Sequence, residues 1–218
     1  MSRQSSVAGV VLMLAVLLSP LAARAQELKP VPLPAPQLGG GKPLMQALKE
    51  RTSARAFSPE RLPVQVLANL LWAGYGVNRP ETGGRTAPSA NNSQETDIYV
   101  ATADGLYVYE AKAHALRPIL ADDIRALTGR QAFVKEAPVN LVYVADLGRM
   151  TRAREEDRDF YASAHTGFLS QNVYLYCASE GLATVVRASI DRPALAKAMQ
   201  LRPEQRITLS QTVGYPKR

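Results

Sequence analysis

The longest helical pattern in the sequence, residues 159–180, places the strongest constraint on the fold. Its apolar side chains are spread around most of the helix circumference instead of forming one stripe; they are Phe160, Phe168, Leu169, Val173, Tyr174, Leu175 and Tyr176. A helix of this kind is buried on several sides, either by its own domain or by a second subunit. Gln171 and Asn172 interrupt the pattern with polar groups, which need hydrogen-bond partners wherever they are buried.

The remaining pattern mixes strands and helices without a regular βαβ repeat. Residues 139–145 form a nearly continuous apolar run, which is typical of a strand covered on both faces. Residues 97–102 and 106–109 flank Asp104-Gly105, which predicts a β-hairpin. Further strands are predicted at 183–187 and 205–213, and shorter helices at 44–50, 63–74, 122–128, 131–136 and 192–199. The pattern therefore favours an α+β fold over a doubly wound sheet.

The amino terminus has the features of a secretory signal peptide. Arg3 precedes an apolar run at residues 7–18, and Ala23-Arg24-Ala25 matches a small-residue cleavage site. The run is short for a membrane span, and an uncleaved anchor is the alternative. Cleavage near Ala25 predicts a periplasmic or secreted protein of 193 residues. It lowers the formal net charge from +7 to +5, because Arg3 and Arg24 are removed.

After the signal peptide, residues 1–25, the chain is predicted to have two parts. Residues 26–42 contain alternating prolines and then three glycines, so they are predicted to be a tether, either a flexible spacer or a segment that lies along a partner subunit. Residues 43–218 form one domain with its own core. The basic residues do not cluster with aromatic ones, so no nucleic-acid partner is expected. Cys177 is the single cysteine and lies in an apolar helical run, which predicts a buried, inert thiol.

Two arginines bracket a Thr-Ser pair where the first predicted helix ends. Arg51 and Arg55 are four residues apart, with Ser53 between them, and Ser58-Pro59 follows. Guanidinium groups and a hydroxyl are suited to binding a phosphate. An exposed basic helix end, where cations offset the helix dipole, has the same sequence. The motif by itself therefore leaves both interpretations open.

Three further motifs accompany this one. An apolar helix ends in Leu70-Leu71-Trp72-Ala73-Gly74-Tyr75-Gly76, residues 85–94 run Arg-Thr-Ala-Pro-Ser-Ala-Asn-Asn-Ser-Gln, and residues 213–216 are Val-Gly-Tyr-Pro. In this order and spacing the set resembles the FMN-dependent nitroreductase family, in a branch near the azoline-oxidising dehydrogenases of peptide natural-product pathways. The resemblance runs from Leu44 to the end of the sequence. It implies a central, mostly antiparallel sheet flanked by helices, and a homodimer with FMN at the subunit interface.

The resemblance also implies a set of cofactor-binding residues: Arg51, Thr52, Ser53, Arg55, Pro88, Ser89, Ala90, Asn92, Val185, Val186, Arg187, Lys217 and Arg218. By this resemblance, the first four of these residues would hold the phosphate and ribityl chain, Thr52 through its backbone, and the next four would approach the flavin ring. Val185 and Val186 would face the flavin through their backbone, and the last two residues would reach the phosphate. Arg187 departs from the acidic residue that some nitroreductases have at this position. No catalytic side chain and no metal site are assigned, because the flavin carries the redox chemistry in this family.

These features predict an exported FMN-dependent oxidoreductase that acts on a small-molecule redox substrate. The alternatives are a non-catalytic flavin-binding protein on the same fold and an azoline-type dehydrogenase. Because NADH and NADPH are cytoplasmic, export favours a membrane-linked electron donor. His114 and His165 have no catalytic partner adjacent in sequence, and both are interpreted as structural.

Overall fold

A seven-stranded antiparallel sheet with helices on both faces forms the protein in the computed structural model, which describes residues 29–217. The helices are α1 (Leu44–Glu50), α2 (Val64–Tyr75), α3 (Glu155–Glu180) and α4 (Arg192–Ala198). The strands are β1 (Val31–Pro32), β2 (Val77–Arg79), β3 (Gly84–Arg85), β4 (Thr96–Thr102), β5 (Gly105–Glu110), β6 (Ala115–Leu120), β7 (Val139–Asp146), β8 (Ala183–Arg187) and β9 (Gln205–Gly214). Single turns of 3₁₀ helix cover Ala90–Asn92, Arg125–Thr128, Ala132–Lys135 and Leu147–Arg149.

The order of strands in the large sheet is β1-β6-β5-β4-β7-β9-β8, and β2 pairs with β3 in a separate ribbon. Every pairing is antiparallel within the described residues. The predicted α+β class is therefore confirmed. The β4–β5 hairpin turns at Gly105, whose φ of +139° and close approach to the Leu120 carbonyl leave no room for a side chain.

Strand β7 is the centre of the core, because all eight of its residues are buried. Leu141 and Tyr143 pack into the cluster beneath α2 and α3, whereas Val142 and Val144 pack into the cluster beneath α4. Alternate residues of a strand point to opposite faces of a sheet. The apolar run at 139–145 is thus explained by a strand that contacts a helical layer on each side.

Helix α3 begins at Glu155, four residues before its predicted start, and three acidic residues occupy its first turn, where they offset the helix dipole. Gly181 ends it in the left-handed conformation, with φ of 70°. Leu169, Val173 and Cys177 face the sheet and are fully buried. Phe160 and Phe168 remain 71% and 47% exposed. The described chain therefore covers only part of the apolar circumference of this helix.

The sequence predicts a tether at residues 26–42, but the described part of this segment packs on its own domain. Strand β1 pairs with the edge of β6. The Nε2–H of His114 donates to the Pro34 carbonyl (2.9 Å), while the Tyr109 hydroxyl donates to His114 Nδ1 (2.9 Å). Further on, the Lys42 amide donates to Ser179 Oγ at 2.7 Å. His114 is thus structural, as predicted, and it fixes the proline-rich segment.

Strand β6 is absent from the sequence-based prediction, because Pro118 interrupts its pattern. Proline is tolerated on a sheet edge, where its missing N–H leaves no partner unsatisfied. The short strand β1 pairs only with Ala115 and Leu116, so Pro118 lies beyond the paired part of the edge.

The predicted signal peptide lies outside the described residues. Across residues 29–217, none of the helices combines the length and apolar composition that crossing a membrane requires.

The first prediction concerns Cys177, which is fully buried and whose thiol pKa is raised by that burial. Because the thiolate is the reactive form, the native protein should react with a thiol-specific aromatic disulfide at least about a hundredfold more slowly than the unfolded protein. Absorbance of the released thiolate measures both rates. Rapid stoichiometric labelling of the native protein would contradict the burial.

Candidate functional site

Residues 51–57 lead from the end of α1 to the edge of β8, and they meet α3 at Tyr174. The Arg51 guanidinium lies over the Tyr174 ring, 5.4 Å from its centroid. The Val186 amide donates to the Tyr174 hydroxyl oxygen at 2.9 Å, which leaves the hydroxyl proton to bind Ser53 Oγ at 2.9 Å. The Ala54 amide donates to the Thr184 carbonyl, so residues 53–54 run beside β8. One tyrosine hydroxyl thus joins the Arg-Thr-Ser motif to strand β8.

The cations of this motif are available to a ligand. Among residues 29–217, Arg51 and Arg55 have no carboxylate within 4.0 Å, although ion pairs elsewhere occupy Arg61, Arg125, Arg149 and Arg202. Arg51 is partly buried and Arg55 is exposed. Two guanidiniums beside a hydroxyl can provide charge-assisted donors to a phosphate.

The last described residues pass beside the same motif. Phe57 forms an isolated bridge with Pro216, and the Lys217 amide donates to the Ala56 carbonyl. This pairing brings the backbone of Lys217 next to Arg55. The Lys217 side chain, however, lines a cavity on the Phe57 side. Arg218 lies outside the described residues.

The loop after β3 has a constrained backbone. Asn91, Asn92 and Gln94 have positive φ angles of 54°, 52° and 46°, which are uncommon for residues other than glycine. Local hydrogen bonds compensate for this conformation: the Gln94 amide donates to Ser89 Oγ at 3.0 Å, and Arg85 Nε donates to Gln94 Oε1 at 2.9 Å. Burial lowers the pKa of Arg85, whose guanidinium also stacks over the Tyr75 ring.

A buried acid–histidine pair holds this loop to α3. His165 Nε2 accepts a hydrogen bond from the Ala90 amide (2.9 Å), so the proton of the neutral ring resides on Nδ1 and is donated to Glu95 Oε1 (2.7 Å). Glu95 is fully buried and its second oxygen accepts from Ser93 Oγ at 2.7 Å. His165 is therefore a satisfied histidine, as predicted, and one of its two partners, Ala90, is a predicted cofactor-binding residue.

The two predicted parts of the site are thus attached to one helix at two levels. Tyr174 holds residues 51–54, and His165 holds the loop at Ala90. Nine residues at 1.5 Å per residue separate these anchors by about 13 Å along the axis of α3. Pro88 and Asn92 are exposed, as is Thr52, while Ser89 is partly buried.

Strand β8 presents its three predicted residues differently. Val185 packs with Phe57 and Ala137, and Arg187 lies on the same face, with its guanidinium 5.8 Å from the Phe133 ring centroid. Residues two apart on a strand share a face, so the Arg187 side chain points to the same side as Val185 and away from the side of Val186. The Val186 amide lies in the plane of the sheet and reaches Tyr174 at the free edge of β8. Of the three predicted residues of this strand, Val186 is the one whose backbone amide the structure brings to the Tyr174 hydroxyl that also binds Ser53.

Arg187 is an unusual buried cation. It donates to the Thr128 carbonyl, Asn140 Oδ1 and Thr212 Oγ1 at 2.7–3.0 Å, and its Nε has no partner among the described residues. Burial lowers its pKa to about 10. Gly129 makes this packing possible, because a Cβ at that position would overlap the guanidinium.

Three residues that position the site were missed in the sequence: Tyr174, Glu95 and Arg85. The contacts of Tyr174 with Ser53 and of His165 with Glu95 span 121 and 70 residues. No local pattern marks such pairs. Within the described chain, no cluster of three or more histidine, cysteine or acidic residues is arranged to hold a metal ion.

Comparison with known proteins gives concordant matches. The profile of the nitroreductase family matches residues 48–215. A nitroreductase-type protein of Methanocaldococcus jannaschii is 35% identical over 153 residues, which are 65% of this chain and 76% of the relative. The crystal structure of a nitroreductase-type protein from Ralstonia eutropha JMP134 is 43% identical with a TM-score of 0.83, over 87% of this chain and 90% of that one.

A third structure shares the fold alone. It is a nitroreductase-type protein from Desulfovibrio desulfuricans in complex with FMN, 23% identical, with a TM-score of 0.59 over 81% of this chain and 88% of that one.

The second prediction concerns His165. Replacing His165 by Ala removes the short hydrogen bond to the buried Glu95 carboxylate and the acceptor of the Ala90 amide, so the free energy of unfolding should fall by about 2–4 kcal/mol. Amide hydrogen exchange of residues 89–94 should also accelerate. Denaturant unfolding and exchange mass spectrometry measure the two effects. Gln171→Ala, at an exposed position of the same helix, is the control; equal behaviour of the two variants would contradict the anchoring role.

Proposed function

This chain belongs to the nitroreductase family, and we propose that it is an FMN-dependent oxidoreductase that acts outside the cytoplasm on a small-molecule redox substrate. The observation that carries the proposal is the junction at Tyr174. It places an Arg51 guanidinium without a carboxylate partner, the Ser53 hydroxyl and the backbone of Val186 side by side. This arrangement is better explained as a binding site for a phosphate-bearing ligand than as a solvent-exposed basic helix end.

The residues of this junction would hold the phosphate end of FMN. Arg51 and Arg55 supply charge-assisted donors, and Ser53 supplies a hydroxyl fixed by Tyr174. The FMN complex from Desulfovibrio desulfuricans has the same fold, which supports this choice of cofactor. Bound flavin would supply the electron-transfer chemistry. The chain's own groups then bind, orient and shield it, and no side chain is assigned as an acid or base.

A homodimer would complete this arrangement. Three apolar residues of α1, namely Leu44, Met45 and Leu48, are 44–75% exposed, and Phe160 and Phe168 of α3 are exposed as well. Helices α1 and α3 pack against each other, so both sets of exposed residues belong to one helical layer. Large apolar side chains exposed on a soluble protein often mark an interface with another chain. A second copy of the chain would bury it and enclose the ligand.

Two alternatives retain the fold. A flavin-binding protein without turnover would bind FMN but leave it in one redox state, and an azoline-type dehydrogenase would reduce its flavin with a heterocyclic peptide substrate. Reduction of the bound flavin followed by reoxidation with an external acceptor separates turnover from binding alone. Reduction of the bound flavin by a thiazoline or oxazoline peptide would identify the dehydrogenase. Reduction of the flavin by a nicotinamide, followed by reoxidation with a nitroaromatic compound, would instead identify a nitroreductase.

The third prediction tests flavin binding. The double variant Arg51→Ala/Arg55→Ala loses two charge-assisted phosphate contacts, so its affinity for FMN should fall at least about a hundredfold. Flavin absorbance after gel filtration measures retention and oligomeric state together. The matched control is Arg117→Ala/Arg206→Ala, which removes two exposed cations from strands β6 and β9, away from the Tyr174 junction. A parent protein that is a colourless monomer and takes up no FMN would overturn the proposed function.

The fourth prediction tests export. A signal peptide would deliver the chain to a compartment where NADH and NADPH are scarce. A membrane-linked donor, or oxidation of an external substrate with electrons passed onward, would replace them, and FMN would bind after translocation. Protein isolated from the periplasmic or external fraction should begin at Gln26. Amino-terminal sequencing of each cell fraction makes the measurement. A cytoplasmic protein that retains Met1 or begins at a later start would contradict this localisation.

A further inference from the structure

A second concave region lies on the side of Phe57 that faces away from β8. It is a cavity of about 710 Å³ between the start of α2, the β1-β6-β5 edge and residues 135–139. This volume falls within the range of small-molecule sites. Its walls are mainly apolar; buried members are Leu33, Phe57, Leu67, Leu116 and Val139.

Phe57 separates this cavity from the candidate cofactor site. Its ring packs with Ala183 and Val185 of β8 on one side and lines the cavity on the other. Tyr174, Ser53 and Arg51 do not line the cavity. The cavity is therefore a distinct region of the molecule, and the family's cofactor does not account for it.

The polar groups at the cavity are predominantly cationic. Arg61 is held by Asp104 through two hydrogen bonds of 2.6 and 2.8 Å, and Arg125 is held in the same way by Asp123. These two arginines are therefore neutralised. Lys135 and Lys217 also line the cavity, and neither forms an ion pair within the described chain. Among the acidic residues of the lining, only Glu136 forms no ion pair with a described residue.

Helix α2 adds positive potential to the same place. Val64 and Leu67 of its first turn line the cavity, and the turn has no acidic residue and no side-chain cap. The amino end of a helix carries a partial positive charge. The cavity therefore combines apolar walls with a net positive charge among the residues that line it.

We propose that this cavity binds a small amphipathic anion, with an apolar body against Leu67, Leu116 and Val139 and a carboxylate beside Lys135. A neutral ligand would leave the lysine ammonium groups unused, and a cationic one would be repelled by them. The site does not depend on FMN, so its occupancy is separable from the proposed function.

Decanoate is the probe, and isothermal titration calorimetry of the purified protein measures its binding. Decanoate should bind at least about tenfold more tightly than 1-decanol, because a charge-assisted hydrogen bond contributes that much. Decylammonium should bind more weakly than either. Equal or tighter binding of 1-decanol would overturn the proposal.

Two variants locate the binding site. Val64→Trp fills the cavity mouth from a position that is 53% exposed, so it should weaken decanoate and 1-decanol alike by at least about tenfold without unfolding the protein. Lys135→Glu should abolish the preference for decanoate over 1-decanol. Lys197→Glu, on α4 at the other sheet face, is the charge-matched control.

Flavin retention is measured on the same samples. It should be unchanged in all three variants, because none of them alters the Tyr174 junction. Parent-like decanoate binding in both Val64→Trp and Lys135→Glu would overturn the assignment, even if the protein retains FMN.

Discussion

Both parts of the candidate cofactor site depend on one rigid element, helix α3. Its hydrogen-bonded backbone fixes the distance between His165 and Tyr174. Each of these side chains accepts a hydrogen bond from the backbone amide of a distant segment, at Ala90 and at Val186. A buried amide without an acceptor is costly, so each segment has one favourable position against the helix. The geometry of the site therefore follows from the need to satisfy two backbone groups.

The loop that carries Ser89 to Asn92 shows how the protein maintains a strained backbone at such a place. Left-handed residues other than glycine cost of the order of 1 kcal/mol each. Arg85, Ser89 and Arg149 offset this cost by binding Gln94 through its side-chain oxygen, its amide and its carbonyl, respectively. A loop that is already ordered loses little entropy when a ligand binds, which favours affinity.

The sequence predicted most of the fold because most of its elements are marked locally. The periodicity of apolar residues, the glycines that end helices and the continuous apolar runs were sufficient to locate seven elements, namely α2, α3, β4, β5, β7, β8 and β9. Strands β1 and β6 escaped because prolines obscure their pattern and because two paired residues are too few to produce a period. The Arg51–Ser53 motif was found because its members are adjacent, whereas Tyr174 and Glu95 act through contacts far along the chain. The orientation of the Arg187 side chain could have been predicted from the sequence, because residues two apart on a strand share a face and Val185 is apolar.

The order of strands also bears on when the protein reaches its final shape. Strand β8 has a single neighbour in the sheet, β9, which follows it in the chain and lies between it and β7. As the chain emerges from its amino end, residues 183–187 therefore have no partner until residues 205–214 have followed. Strand β9 in turn pairs with β7, which lies much earlier in the chain, and contacts of long sequence separation form slowly. The edge strand that carries Val186 is therefore fixed in the sheet only after the carboxyl-terminal strand has joined it, so the Tyr174 junction is among the last parts of the fold to be completed.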